Sequence, residues 1–180
     1  MKKKWIIKVV DSAVVSALAE SLGLNTVVAT VLAGRGISSR EDGLAFLTPS
    51  LSSMPDPFLL KGIEAAVTRL CVARGKGEKI CVYGDYDVDG ITGAALLVSF
   101  LRCTGFNCGY FIPNRFDDGY GLNEDALKRV IDTGVTLIVS VDCGITSVVE
   151  AEFCRRNGAD LIITDHHSPK ESLPDACAVV

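Results

Sequence analysis

The chain has 180 residues, 48% of them hydrophobic and 22% charged, a balance that excludes disorder, coiled coil and collagen. At this size roughly 70% of the unfolded surface is buried on folding, so neither disulfides nor a structural metal is needed for stability. The formal charge of −4 hides an asymmetry: residues 1–80 carry 11 Lys+Arg against 7 Asp+Glu, and residues 81–180 carry 7 against 15. The second half therefore repels polyanions unless divalent cations reverse its local sign.

Lys2-Lys3-Lys4 followed by apolar residues imitates a signal peptide, but Lys8 and Asp11 break the apolar stretch. No apolar run reaches the roughly 18 residues of a membrane span. Seven cysteines, an odd number without a C-x-x-C pair, fit a reducing compartment. A soluble, cytoplasmic protein is expected.

Residues 1–75 read as a helical region. Asp11 or Ser12 can cap a helix through Leu22, ended by Gly23, and Asn25 can cap another through Ala33 to Gly34. Ser38 and Glu41 have capping-box spacing before Ala45-Phe46-Leu47, and Pro49 forbids continuation. Residues 51–57 read as a linker, and Ile63 to Ala73 as a fourth amphipathic helix.

From Lys79 apolar runs alternate with helical segments. Strands are expected at Ile80–Tyr83, Gly109–Ile112, Leu137–Val141 and Leu161–Thr164, with a further run from Ala176. Helices are expected at Gly90–Cys103, at residues 123–133 with Asn123 as cap, and at Thr146–Arg156. This order implies an α/β fold, a mostly parallel sheet with helices on both faces. The run at the chain's end is expected to belong to a domain that continues past Val180.

In such sheets ligands bind beyond the carboxyl ends of the strands. There the sequence has Asp85-Tyr86-Asp87-Val88-Asp89-Gly90, then Asp142-Cys143-Gly144, then Asp165-His166-His167. An Asp at a strand end is often a helix cap, yet five carboxylates and both histidines of the chain converge on one edge. Their mutual repulsion is relieved by cations. Carboxylate with imidazole suits Mn²⁺ or Mg²⁺ rather than a thiolate zinc site, and a pair of ions about 4 Å apart would activate water against a phosphoryl group. Gly90 to Thr92, opening a helix, would offer backbone N–H groups to a phosphate.

These segments resemble the first three motifs of the DHH phosphoesterase superfamily, and within it the 5′-to-3′ exonucleases specific for single-stranded DNA. The likeness extends to Ile112 through Leu122 and to Phe46-Leu47-Thr48-Pro49. The resemblance implies one Mn²⁺ held by Asp85, Asp87 and Asp142, and a second held by Asp89, Asp142 and His166, with Asp142 bridging. It implies that His167 faces the scissile phosphate, that Asp165 orients the histidines, and that Arg115 contacts phosphate. Tyr83 stands where some members have a His, and a later ligand Asp and a substrate-binding domain would lie beyond Val180. Residues 76–180 are accordingly expected to be the first part of a DHH domain. The implied function is hydrolysis of single-stranded DNA in repair and recombination, with a single-strand-binding protein or helicase as further partners and no membrane. The 180 residues alone are expected to bind Mn²⁺ weakly and to hydrolyse little. Competing readings are a DHH enzyme for cyclic dinucleotides or short oligonucleotides, a dehalogenase-type phosphatase with Asp87 as nucleophile, and a non-catalytic binding module.

Overall fold

In a computed structural model, residues 8–180 are described; the Lys2–Lys4 opening lies outside them. The chain divides into two compact units, Met1–Pro55 and Asp56–Val180. In the first, α1 (Ser12–Leu22) is capped by Asp11 and ends at Gly23 with φ +66°, and α2 (Thr26–Gly34) is capped by Asn25. The third helix, α3 (Arg40–Leu47), starts one residue later than expected because its cap is Ser39, which accepts from the Asp42 amide and also bonds the Asp42 carboxylate at 2.7 Å. Val15, Leu18, Ala29 and Leu32 form the core of this unit.

The second unit runs α4 (Ile63–Lys76), β1 (Ile80–Gly84), α5 (Val88–Cys103), β2 (Cys108–Phe111), α6 (Glu124–Ile131), β3 (Leu137–Val141), α7 (Val148–Arg156), β4 (Asp160–Thr164) and β5 (Ala178–Val179). All five strands are parallel, in the order β2-β1-β3-β4-β5. The α/β architecture expected from the alternation is thus the one observed. Side-chain alternation splits the sheet into two cores. Cys81, Tyr83, Ile138, Leu161 and Ile163 pack with Leu127, Val130, Ala151 and Cys154 of α6 and α7. Ile80, Val82, Leu137, Val139 and Ile162 pack with Ala66 and Ala73 of α4 and with Ala94, Val98 and Leu101 of α5.

The division differs from a helical region ending at 75. The fourth helix belongs with the sheet, since its small residues Ala66 and Ala73 let it lie close to β5. It is also tied to the sheet by charge. Arg69 Nη2 donates to Glu78 Oε2 and its Nε to Asp160 Oδ2, each at 2.6 Å. The Arg69 hydrogen bond holds the Glu78 carboxyl below the usual carboxylate range against the opposing effect of burial. A group with a depressed folded-state pKa stabilises above its unfolded value, near 4.3 for Glu, and loses that contribution as pH falls through the folded value. Arg69→Leu should therefore cost about 1–3 kcal/mol at pH 7 and distinctly less near pH 3, as read by urea denaturation at both.

Candidate metal centre

Register builds the site. Gly84 pairs with Val141 and Val141 with Thr164, so β1, β3 and β4 end level, and the next residue after each is an aspartate: Asp85, Asp142 and Asp165. The Asp85 amide donates to Val141 O at 3.3 Å and the Asp142 amide to Thr164 O at 2.9 Å. Three carboxylates thus stand side by side at the edge where helices start.

Asp85 is fully buried. Its Oδ1 accepts from the Tyr86 amide at 2.6 Å, and its Oδ2 has no hydrogen-bond partner. Asp87 caps α5, Oδ1 accepting from the Asp89 and Gly90 amides at 3.0 and 3.1 Å. The Gly90 amide is the main reason its carboxyl titrates below the usual range. Capping therefore falls to Asp87, and α5 starts two residues earlier than the expected Gly90. Asp89, in the first turn of α5, lines a crevice of about 680 Å³ together with Asp142, Asp165 and His166.

Asp142 is 8% exposed and has φ +62°, the one non-glycine with positive φ among the described residues. Burial, and after it the charge of Asp87, pushes its carboxyl above the usual range. His166 Nε2 lies 3.0 Å from Asp142 Oδ1, yet off the line of a hydrogen bond, so this oxygen too has no hydrogen-bond partner. Asp165 is fully engaged: Oδ2 accepts from the Ile145 amide at 2.9 Å, and Oδ1 from the His167 amide at 3.0 Å. Burial raises the Asp165 carboxyl, but these amides together with His167 outweigh it and hold it below the usual range. His167 Nδ1 is 2.7 Å from Asp165 Oδ1. An ionised carboxylate only accepts, so Nδ1 carries the proton and Nε2 of the neutral ring keeps its lone pair. The same bond shifts the His167 pKa upward.

Asp142, His166 and His167 each present a ligand atom within 4.8 Å of the others, and Asp87 adjoins Asp142; Asp85 and Asp89 stand outside that triplet. Asp165 steers His167, whereas His166 approaches Asp142. The donor set fits a divalent cation: two buried carboxylate oxygens lack hydrogen-bond partners, and oxygen with imidazole nitrogen suits Mn²⁺ or Mg²⁺.

Of the three expected phosphate contacts, Gly90 and Thr92 are engaged within the chain and Arg115 is not. Gly90 spends its N–H on Asp87, and its missing side chain serves packing: a Cβ there would lie 2.5 Å from the Asp85 backbone N and O. The Thr92 hydroxyl donates to Val88 O at 2.7 Å within its own helix. Arg115 is exposed and stacks its guanidinium 5.6 Å from the Tyr86 ring centre. Tyr83, buried, donates its hydroxyl to Gly121 O at 3.0 Å on the far side of the sheet from α5.

Sequence reasoning passed over two residues here. Tyr120 packs edge-on to Tyr86 with ring centres 5.9 Å apart, and burial, followed by the nearby Asp85, raises its hydroxyl to about 12. Ser140, inside β3, donates to Cys143 O at 2.8 Å. The glycine-flanked aromatic in Gly119-Tyr120-Gly121 was a visible signal for the first; a serine in an apolar strand is none for the second.

A parallel α/β domain with carboxylates and imidazoles gathered at its strand ends is the class this architecture defines. The chain belongs to the DHH family: the profile of the DHH family, N-terminal domain, matches residues 79–180. It is 39% identical to the single-stranded-DNA-specific exonuclease RecJ of Bacillus subtilis over 99% of its length, which corresponds to 23% of that protein. Its structure is similar to RecJ from Thermus thermophilus in complex with Mn²⁺, with TM-score 0.67, 32% identity, and coverage of 94% of this chain and 23% of that one. A second structure, exonuclease RecJ bound to manganese, matches with TM-score 0.64 and 38% identity over 71% of this chain and 31% of that one. The chain thus spans about a quarter of the length of its curated relatives. Among the described residues no helix is long and apolar enough to cross a membrane.

Proposed function

We propose that the chain supplies the metal-binding portion of a phosphodiester hydrolase, a 5′-to-3′ exonuclease acting on single-stranded DNA in repair and recombination. The observation that carries this reading is the level ending of three strands in aspartates, two of which, Asp142 and Asp165, meet the histidines, in a chain 39% identical to a single-stranded-DNA-specific exonuclease. Asp85, Asp87 and Asp142 would hold one Mn²⁺ or Mg²⁺, and Asp89, Asp142 and His166 the second. Bound there, the ions supply a Lewis acid and an activated water. The chain's own groups do the rest. Asp165 fixes the ring of His167 so that Nε2 is presented toward the phosphate, Arg115 offers a charge at the rim, and the acidic edge keeps the DNA backbone away until cations offset it. A cytoplasmic setting accords with seven free cysteines, and in this reading a single-strand-binding protein or helicase would deliver the strand.

The test is a chimera in which this chain replaces the matching 23% of the Bacillus subtilis protein. It should degrade 5′-labelled single-stranded DNA with Mn²⁺, and a chimera that folds without doing so overturns the reading. Within it, Asp142→Ala should abolish turnover, while Asp165→Asn should lower it about 10- to 100-fold, the usual loss when a group orienting a ligand is altered.

A further inference from the structure

We propose that Ser140 is a positioning residue for Asp142, its hydroxyl clamping the turn after β3 so that the carboxylate is held over the crevice; this rests on the metal-binding reading above. Asp142 occupies left-handed backbone, φ +62°, which costs a non-glycine residue about 1–2 kcal/mol and persists only where the surroundings enforce it. Both sides of the residue are pinned. On its N-terminal side the Asp142 amide donates to Thr164 O at 2.9 Å. On its C-terminal side the next carbonyl, Cys143 O, accepts from Ser140 Oγ at 2.8 Å.

The clamp is itself held. Ser140 is fully buried, and its own carbonyl accepts from Thr164 Oγ1 at 2.6 Å, so the serine cannot follow the turn if the turn relaxes. Gly144 completes the fit, with φ +113° and a position at which a Cβ would sit 2.9 Å from Ser140 Oγ. Without the hydroxyl the Cys143 carbonyl has no partner from β3, the turn is free to flip Asp142 out of positive φ, and its carboxylate swings away from His166. A hydrogen bond that only satisfied a buried carbonyl would stabilise the fold equally whatever residue stood at 142.

That difference is the test. On the chain itself, Ser140→Ala should weaken Mn²⁺ binding about 10- to 100-fold, followed by the electron paramagnetic resonance signal of the free ion, and Ser140→Thr, which keeps the hydroxyl, should restore it to within a few-fold. Independently of metal, Ser140→Ala should lower Tm by several degrees in Asp142→Gly and by less than half as much in the wild type, where the relaxing turn sheds the penalty of positive φ. Wild-type Mn²⁺ affinity in folded Ser140→Ala, or equal Tm losses in the two backgrounds, overturns the positioning role. Asp142→Asn separates the two readings: if it binds Mn²⁺ like the wild type, the metal assignment fails, and the Tm comparison still decides for or against the clamp.

Discussion

Asp142→Gly should give a protein that is more stable than the wild type and lacks the proposed Mn²⁺ binding. The gain has three sources. Glycine removes the penalty of positive φ at this position, takes away a buried carboxylate oxygen without a hydrogen-bond partner, and ends the repulsion from Asp87. Against these stands the larger backbone entropy of glycine in the unfolded chain, about 0.5–1 kcal/mol. A net gain of about 1 kcal/mol is expected, or a Tm rise of roughly 2–4 °C for a domain of this size. The pH dependence has a definite sign. Because the Asp142 carboxyl titrates above its ordinary value, the native state binds the proton more tightly than the unfolded one, and the wild type loses stability as pH rises through that interval. The advantage of the variant should accordingly be largest at neutral pH and shrink below the ordinary Asp value of about 3.9. Calorimetry at pH 7 and pH 3.5 checks this, and a variant less stable than the wild type at pH 7 refutes it.

Gly90→Ala should be among the most damaging single-methyl additions in the chain. The added Cβ would meet Asp85 N and O at 2.5 Å and Asp85 C at 2.7 Å, all of them backbone atoms of the strand exit, which cannot rotate aside. On the other side of the contact a Cβ on Gly84 would be 2.8 Å from Gly90 O. The start of α5 therefore rests on the end of β1 through two glycines. To admit the methyl the helix must lift, which costs about 2–3 kcal/mol after the better helix propensity of alanine is credited. Lifting α5 also carries Asp87 and Asp89 away from Asp142, so Mn²⁺ affinity should fall with stability. Urea denaturation together with Mn²⁺ titration measures both, and a variant within about 0.5 kcal/mol of the wild type contradicts the packing argument.

Gly90 also marks where the amino-acid pattern stopped being informative. Strand positions were legible because apolar runs between helix caps have few other solutions, and the three Asp motifs were legible because register places whatever follows each strand on one edge. The role of Gly90 was not, since a glycine at a helix start serves a phosphate or a close approach equally well in sequence. Only the distance to the Asp85 backbone separates the two. The cap of α3 slipped by one residue because Ser38/Glu41 and Ser39/Asp42 have the same spacing. Ser140 was hidden for a different reason: its partner is a carbonyl three residues on, brought within reach only by the positive φ of Asp142.

The order of strands also governs when the site can exist. Ile80 and Leu137, neighbours across β1 and β3, are separated in the chain by α5, β2 and α6. Pairing so remote in sequence is slow to nucleate, because the entropy of closing the long loop must be met before the contacts return it. Asp85 and Asp87 belong to one side of that closure, and Asp142 and both histidines to the other. A refolding chain consequently has no binding-competent edge until its central strands have met, and Mn²⁺ capture should lag behind helix formation as a late reporter of the assembled sheet.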